Sequence, residues 1–142
     1  MMAAGLRRRF LVGKRIEVTS WNQKLVAYDD NSKVFEFDCV LGDRMTPTRA
    51  GSFRITRKDP HHISGQSGRP MPYSMFFDQG RAIHGGTHVD IRHLAMRAGL
   101  GELDSVLPDS KKIASHGCVN LNLGDAQHLY EWATIGTPVT VR

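Results

Sequence analysis

The run Val34–Leu41 (VFEFDCVL) constrains the fold more than any other stretch. Phe35, Phe37, Cys39 and Leu41 alternate with Glu36 and Asp38. Period-two alternation puts one set of side chains on each face of an extended chain, so this is a strand with one face in a core. Such a strand needs neighbours, and the flanking sequence supplies them. Arg15 to Ser20 and Lys24 to Tyr28 read as strands joined at Trp21-Asn22-Gln23, and Asp29-Asp30-Asn31-Ser32 is dense turn chemistry. Ser52 to Thr56 (Phe53 and Ile55 inward), Arg81 to His84 and Thr137 to Val141 extend the series. Two helices interrupt it. Ile91 to Ala98 ends before Gly99, and Asp125 to Ala133 carries Ala126, Leu129, Tyr130 and Ala133 at helical spacing before Gly136. Residues 57–72, polar and rich in Pro and Gly, read as a long loop, and 101–112 as another. Mostly strands with two late helices predict a mainly β, sandwich-like or barrel-like domain.

A chain of 142 residues buries a sufficient core as one domain, without metals or disulfides. Lys and Arg outnumber Asp and Glu 19 to 14 for a net charge of +5, which suits an acidic partner. The clearest basic cluster, Arg7-Arg8-Arg9 with Lys14-Arg15, is not followed by a series of stacking aromatics, so no nucleic-acid binding is expected. No stretch approaches the ~20 apolar residues of a membrane-spanning helix. Phe10-Leu11-Val12 is far shorter than the roughly 7–15 apolar residues of a secretory signal, so neither membrane insertion nor an export signal is visible. Residues 1–13 read as a flexible basic segment and 14–142 as the domain.

Chemistry concentrates in Lys112–Leu121 (KIASHGCVNL), which holds one of only two cysteines. A disulfide with Cys39 is disfavoured by the strand phase that turns Cys39 into the core, and a domain of this size does not need one. Zinc is disfavoured as well. His84, His88, His93, His116 and Cys118 offer donors, but Gly85-Gly86 between His84 and His88 argues against a helical pair, and there is no C-x-x-C. No metal and no cofactor are expected. A nucleophilic Cys118 needs a base and an oxyanion site. Gly117 permits a tight turn on which the backbone N–H groups of His116, Gly117 and Cys118 would converge, leaving the sulfur unshielded. His116 is too close along the chain to be the natural base; His84, ending an apolar strand ahead of two glycines, fits better. His61, His62 and His128 read as ordinary surface or structural groups, and His88 and His93 stay open.

This combination resembles the L,D-transpeptidase catalytic domain, the YkuD family of bacterial cell-wall enzymes. The similarity runs from Lys14 to Arg142 through TPTRAGSF (Thr46–Phe53), MPYSMFF (Met71–Phe77), AIHG (Ala82–Gly85), SHGCVNL (Ser115–Leu121) and DAQHLYEWATIGTPVTV (Asp125–Val141). The resemblance implies a β-sandwich-like fold of mixed sheets and acyl transfer through a cysteine thioester. It implies Cys118 as nucleophile and His84 as general base and acid, oriented by the Gly85 carbonyl. His116, Gly117 and Cys118 would bind the oxyanion, Ser115 and Asn120 would shape the site, and Tyr73 would line the donor cleft. The implied substrate is a peptidoglycan stem tetrapeptide, cut between the third-position diamino acid and D-alanine and passed to an amine to give a 3→3 cross-link. Water as acceptor would make the same residues an L,D-carboxypeptidase, and a non-catalytic wall-binding module would be expected to have lost the motif residues. The implied location is the periplasm or cell envelope, and the implied state a monomer. Two further expectations attach to this reading. The thiolate–imidazolium pair of Cys118 and His84 should form below neutral pH. The 30 residues between His84 and Ser115, more than the family motif usually has, should form a lid or added wall around Ile91–Ser110 without any residue the mechanism requires.

Overall fold

The alternating segments near the start of the chain pair as their patterns require. In the computed structural model, which describes residues 12–142, β1 (Lys14–Thr19) and β2 (Lys24–Asp29) form an antiparallel hairpin, and β3 (Ser32–Asp38) adds to its outer edge. The Arg7-Arg8-Arg9 cluster lies outside the described residues. The chain's last strand, β9 (Pro138–Val141), lies parallel to β1 and antiparallel to β4 (Gly51–Arg54), giving a five-stranded sheet in the order β3-β2-β1-β9-β4.

A second sheet has the order β5-β6-β7-β8, from β5 (Arg57–Ile63), β6 (Pro70–Asp78), β7 (Arg81–Gly85) and β8 (Val119–Leu121). Its first three strands are antiparallel neighbours, whereas β7 and β8 are parallel and therefore need a crossover. That crossover carries α1 (Val89–Arg97) and two short 3-10 helices, Leu100–Ser105 and Asp109–Lys111. Helix α2 (Leu123–Trp132) follows β8 and packs on β6 and β7. One core unites both sheets and α2: Ile16, Val18 and Leu25 meet Met75, Ile83, Val119, Leu121 and Leu129, all with no exposed surface. The mainly β, two-sheet prediction therefore holds, and Cys39 is fully buried in this core as its strand phase required. Both cysteines are free thiols, so the disfavoured disulfide is absent.

Residues 57–72 are a correction. They form β5, a short turn closed by Ser64 N–H to the Arg69 carbonyl at 2.9 Å, and the start of β6. The strand was hidden because β5 is an edge: it pairs on one side only, tolerates Pro60, and is mostly exposed or half-buried. Its cations are held by their charged ends. Arg57 lies 4.0 Å over the Phe76 ring, and Lys58 Nζ donates to the carbonyls of Tyr130 (2.6 Å) and Ala133 (2.8 Å) at the end of α2. Residues 101–112 also differ from the expected loop, since both 3-10 helices fall largely within them.

Candidate active site

The same alternation that buries Ile83, Val119 and Leu121 sends Ala82 and His84 of β7, and Cys118 and Asn120 at β8, to the opposite face of the sheet. Parallel pairing of Ile83 with Val119 and of His84 with Asn120 puts the strand end that carries the histidine beside the strand that follows the cysteine. His84 and Cys118, 34 positions apart in sequence, thus share one face of the sheet.

Cys118 sits at the turn entering β8, half-buried against Met71, Phe76 and Ala82, with the Ala82 N–H directed at Sγ from 3.3 Å. The turn is closed from inside. Ser115 Oγ donates to the Cys118 carbonyl and accepts the Gly117 N–H at 3.2 Å, and Ser115 N–H is held by the Leu41 carbonyl at 2.9 Å. The Gly117 N–H is therefore spent on the turn in this conformation, which corrects its expected part in an oxyanion site. Gly117 has φ +106°, and a Cβ there would stand 2.7 Å from Arg81 Nε. Glycine is required for both reasons. The sulfur is thus not unshielded: the Arg81 side chain lies across the turn, its Nε buried without a hydrogen-bond partner among the described residues. Asp78, gripped by Arg49 at 2.7 and 3.0 Å, lies 3.6 Å from Arg81 Nη1.

The His84 imidazole is fixed at both nitrogens. Nδ1 bonds the Gly85 carbonyl at 2.8 Å, and Nε2 bonds Asn120 Nδ2 at 3.1 Å. Gly86 makes room for this, because a Cβ on it would approach Asn120 Cβ to 2.9 Å. Burial lowers the His84 pKa, helped by the Arg92 charge and by His62 against the opposing pull of the Gly85 carbonyl. Burial raises the Cys118 thiol, opposed by the Ala82 N–H and the Arg81 charge. The two shifts are opposite in sign to those of an ion pair. Burial thus favours the neutral form of each group, against the direction the expected thiolate–imidazolium pair would need.

The other expected residues fall as follows. The His116 side chain is exposed, beside an open cleft with Asp43, Met45 and Lys112. Tyr73, half-buried in β6 with φ +56°, packs its ring against the main core and lies tilted beside Tyr130 of α2 with centroids 5.6 Å apart. His93 is structural, bonding the Cys39 carbonyl at 2.9 Å, and His88 is exposed at the start of α1. No group of three or more His, Cys, Asp or Glu suited to a metal is found among the described residues.

Three residues were missed. Thr48 Oγ1 donates to the Gly117 carbonyl at 2.9 Å and ties the loop after β3 to the Cys118 turn. Asp104, buried in the crossover, accepts the N–H groups of Ile113 (2.7 Å) and Ala114 (2.8 Å) just before that turn. Arg92 of α1 reaches the Ile113 carbonyl, the Thr87 carbonyl and Asn120 Oδ1 at 2.8–2.9 Å. Only the presence of TPT in the motif hinted at Thr48. The crossover is therefore not a detachable lid; it is bonded into the site from both sides.

A two-sheet mixed-β domain with a half-buried cysteine and an oriented histidine on adjacent parallel strands defines a class, and the sequence places the chain within it. Residues 13–141 match the L,D-transpeptidase catalytic domain, YkuD, and the chain belongs to that family. No curated protein sequence matches it. Among solved structures, the L,D-transpeptidase (Yku) of Stackebrandtia nassauensis superposes with a TM-score of 0.74 at 25% identity, over 99% of this chain and 60% of that one. A cysteine-to-serine mutant of the Enterococcus faecium L,D-transpeptidase gives 0.70 at 28% identity, over 93% and 50%. The Xylanimonas cellulosilytica L,D-transpeptidase (0.71, 24% identity, 98% and 66%) shares the fold. The chain spans between half and two thirds of the length of these relatives.

Proposed function

We propose that the domain is a peptidoglycan L,D-transpeptidase in which Cys118 is the nucleophile and His84 the general base and acid. The observation that carries this is the pairing of β7 with β8, which sets the two side chains on one face of the sheet with the imidazole oriented by the Gly85 carbonyl. The reaction begins from the neutral pair. Nε2 has a single in-plane lone pair, held at rest by the Asn120 amide. As the substrate binds, that bond exchanges for the thiol, and the Cys118 proton passes to Nε2 while Sγ attacks the carbonyl of the third-position diamino acid. The tetrahedral oxyanion is stabilised by backbone N–H groups of the turn, with Cys118 and His116 as donors in place of Gly117. Collapse breaks the bond to D-alanine, whose amine takes the proton from His84. The acceptor amine gives a proton back to His84 as it attacks the thioester, and the thiol is restored. Ser115 and Thr48 hold the turn through these steps.

The substrate lies outside the cytoplasm, so the cell envelope is the proposed location, and the charge of +5 suits an anionic wall polymer. No helix of the described residues is long and apolar enough to cross a membrane. The test is mass spectrometry of the protein incubated with a disaccharide-tetrapeptide. The expected products are an acyl-enzyme on Cys118, released D-alanine and a cross-linked dimer, all absent in Cys118→Ala. Tripeptide alone would replace transfer by carboxypeptidase activity, and unmodified protein with intact tetrapeptide would refute the assignment.

A further inference from the structure

The crossover between β7 and β8 contributes a charged side chain to the centre of the site, and the sequence offered no role for it. Arg92, at the fourth position of α1, is held by three acceptors at once: Nε on the Ile113 carbonyl at 2.8 Å, Nη1 on the Thr87 carbonyl at 2.9 Å, and Nη2 on Asn120 Oδ1 at 2.9 Å. The first two fix the guanidinium to backbone on either side of the site. The third determines which way the Asn120 amide faces. A guanidinium only donates, so its partner on Asn120 must be the oxygen, and the nitrogen is left facing His84 Nε2 at 3.1 Å. An amide N–H needs an acceptor, so Nε2 carries no proton, and the ring proton sits on Nδ1, where the Gly85 carbonyl accepts it at 2.8 Å. The chain of bonds has one self-consistent polarity from Arg92 to Gly85.

We propose that Arg92 is a positioning residue for His84: by clamping Asn120 it selects the Nδ1–H tautomer and keeps Nε2 available as the proton acceptor. This rests on the reading of His84 as the base. The charged and titratable groups around His84 are Arg92 from α1, His62 from β5 and Cys118 from the turn before β8, and the first two both act to keep the ring neutral. Helix α1 is in turn anchored by the buried Val89 and His93, the latter bonding the Cys39 carbonyl, so the clamp has a rigid base. Without Arg92 the amide is free to rotate and present its oxygen, which would stabilise a proton on Nε2 and so the imidazolium.

The test is nitrogen NMR of the full chain labelled in histidine, read together with the pH profile of Cys118 acylation by the disaccharide-tetrapeptide. The wild type should show His84 as the neutral Nδ1–H tautomer. In Arg92→Met the Nε2–H form should appear and the His84 titration should move up by about one pH unit. The acid limb of acylation should rise with it, so that activity at low pH falls about tenfold, and the high-pH plateau should fall in proportion to the Nε2–H fraction seen by NMR. Arg92→Lys keeps the charge but cannot fork between Asn120 and Ile113, and should show mixed tautomers with a smaller shift. This variant serves if Arg92→Met does not fold. A His84 that stays in the Nδ1–H form with an unmoved titration in either folded variant would overturn the proposal. A tautomer that moves while the acid limb stays put would support the clamp and remove His84 as the base.

Discussion

The charge state of the Cys118–His84 pair can be read from the pH dependence of alkylation. An ordinary thiol, pKa ~8.5, is about 0.3% thiolate at pH 6 and about 3% at pH 7. Burial pushes Cys118 upward, and the Ala82 N–H at 3.3 Å and the Arg81 charge only partly oppose it. His84 is pushed the other way, which disfavours the imidazolium that would trap a thiolate. The thiolate fraction at pH 6 should therefore lie below about 0.3%, hundreds of times less than for a preformed ion pair. The assay is iodoacetamide labelling of a Cys39→Ala protein, followed by intact mass from pH 5.5 to 9. The rate should climb about tenfold per unit through this range without a plateau below pH 8. His84→Ala should leave the midpoint nearly unmoved, because it removes a neutral ring. Arg81→Met should move it further up, because it removes the nearby cation. A plateau reached below pH 7 that collapses in His84→Ala would refute the neutral-pair reasoning.

Cys39→Ala removes a fully buried sulfur from the main core, and should cost ~1–3 kcal/mol in denaturant unfolding while acylation of Cys118 is retained. Gly86→Ala drives a Cβ to 2.9 Å from Asn120 Cβ, so acylation in the mass-spectrometric assay should fall far more than the melting temperature. Asp104→Ala strands the N–H groups of Ile113 and Ala114, at about 1–3 kcal/mol for each buried donor left unpaired. It should lower stability and acylation together, and an unchanged melting temperature would show that the crossover is not anchored there.

Much of the fold was legible because it rests on local patterns. The alternation in Val34–Leu41 placed Cys39 in the core, and the helical spacing of Ala126, Leu129 and Ala133 placed α2 against it. What escaped was the segment whose pattern is set by position in the sheet. β5 is an edge strand, and its contacts with the aromatic side chains are made by the Arg57 guanidinium and the Lys58 ammonium lying over Phe76 and Tyr130. Side chains that are polar in sequence and apolar in their contacts leave no periodic signal.

The site divides along the same line. The short motifs AIHG and SHGCVNL hold the groups joined by backbone register, and β7–β8 pairing needs only those two segments. The groups that set their chemistry come from elsewhere: Arg81 over the Gly117 turn, Thr48 beneath it, and Arg92 and Asp104 from the crossover. None belongs to a period or a spacing: Thr48, Arg92 and Asp104 each act through one side chain whose partners lie 5 to 69 residues away. A parallel pair of strands cannot be joined without a crossover, so a chain that puts its histidine and cysteine on β7 and β8 always has such a segment beside the site. In this chain the segment is long enough to fold α1 and a 3-10 helix. It uses them to bond the strand end before Cys118 and the amide that faces His84, so the connection the topology demands also fixes the two side chains it connects.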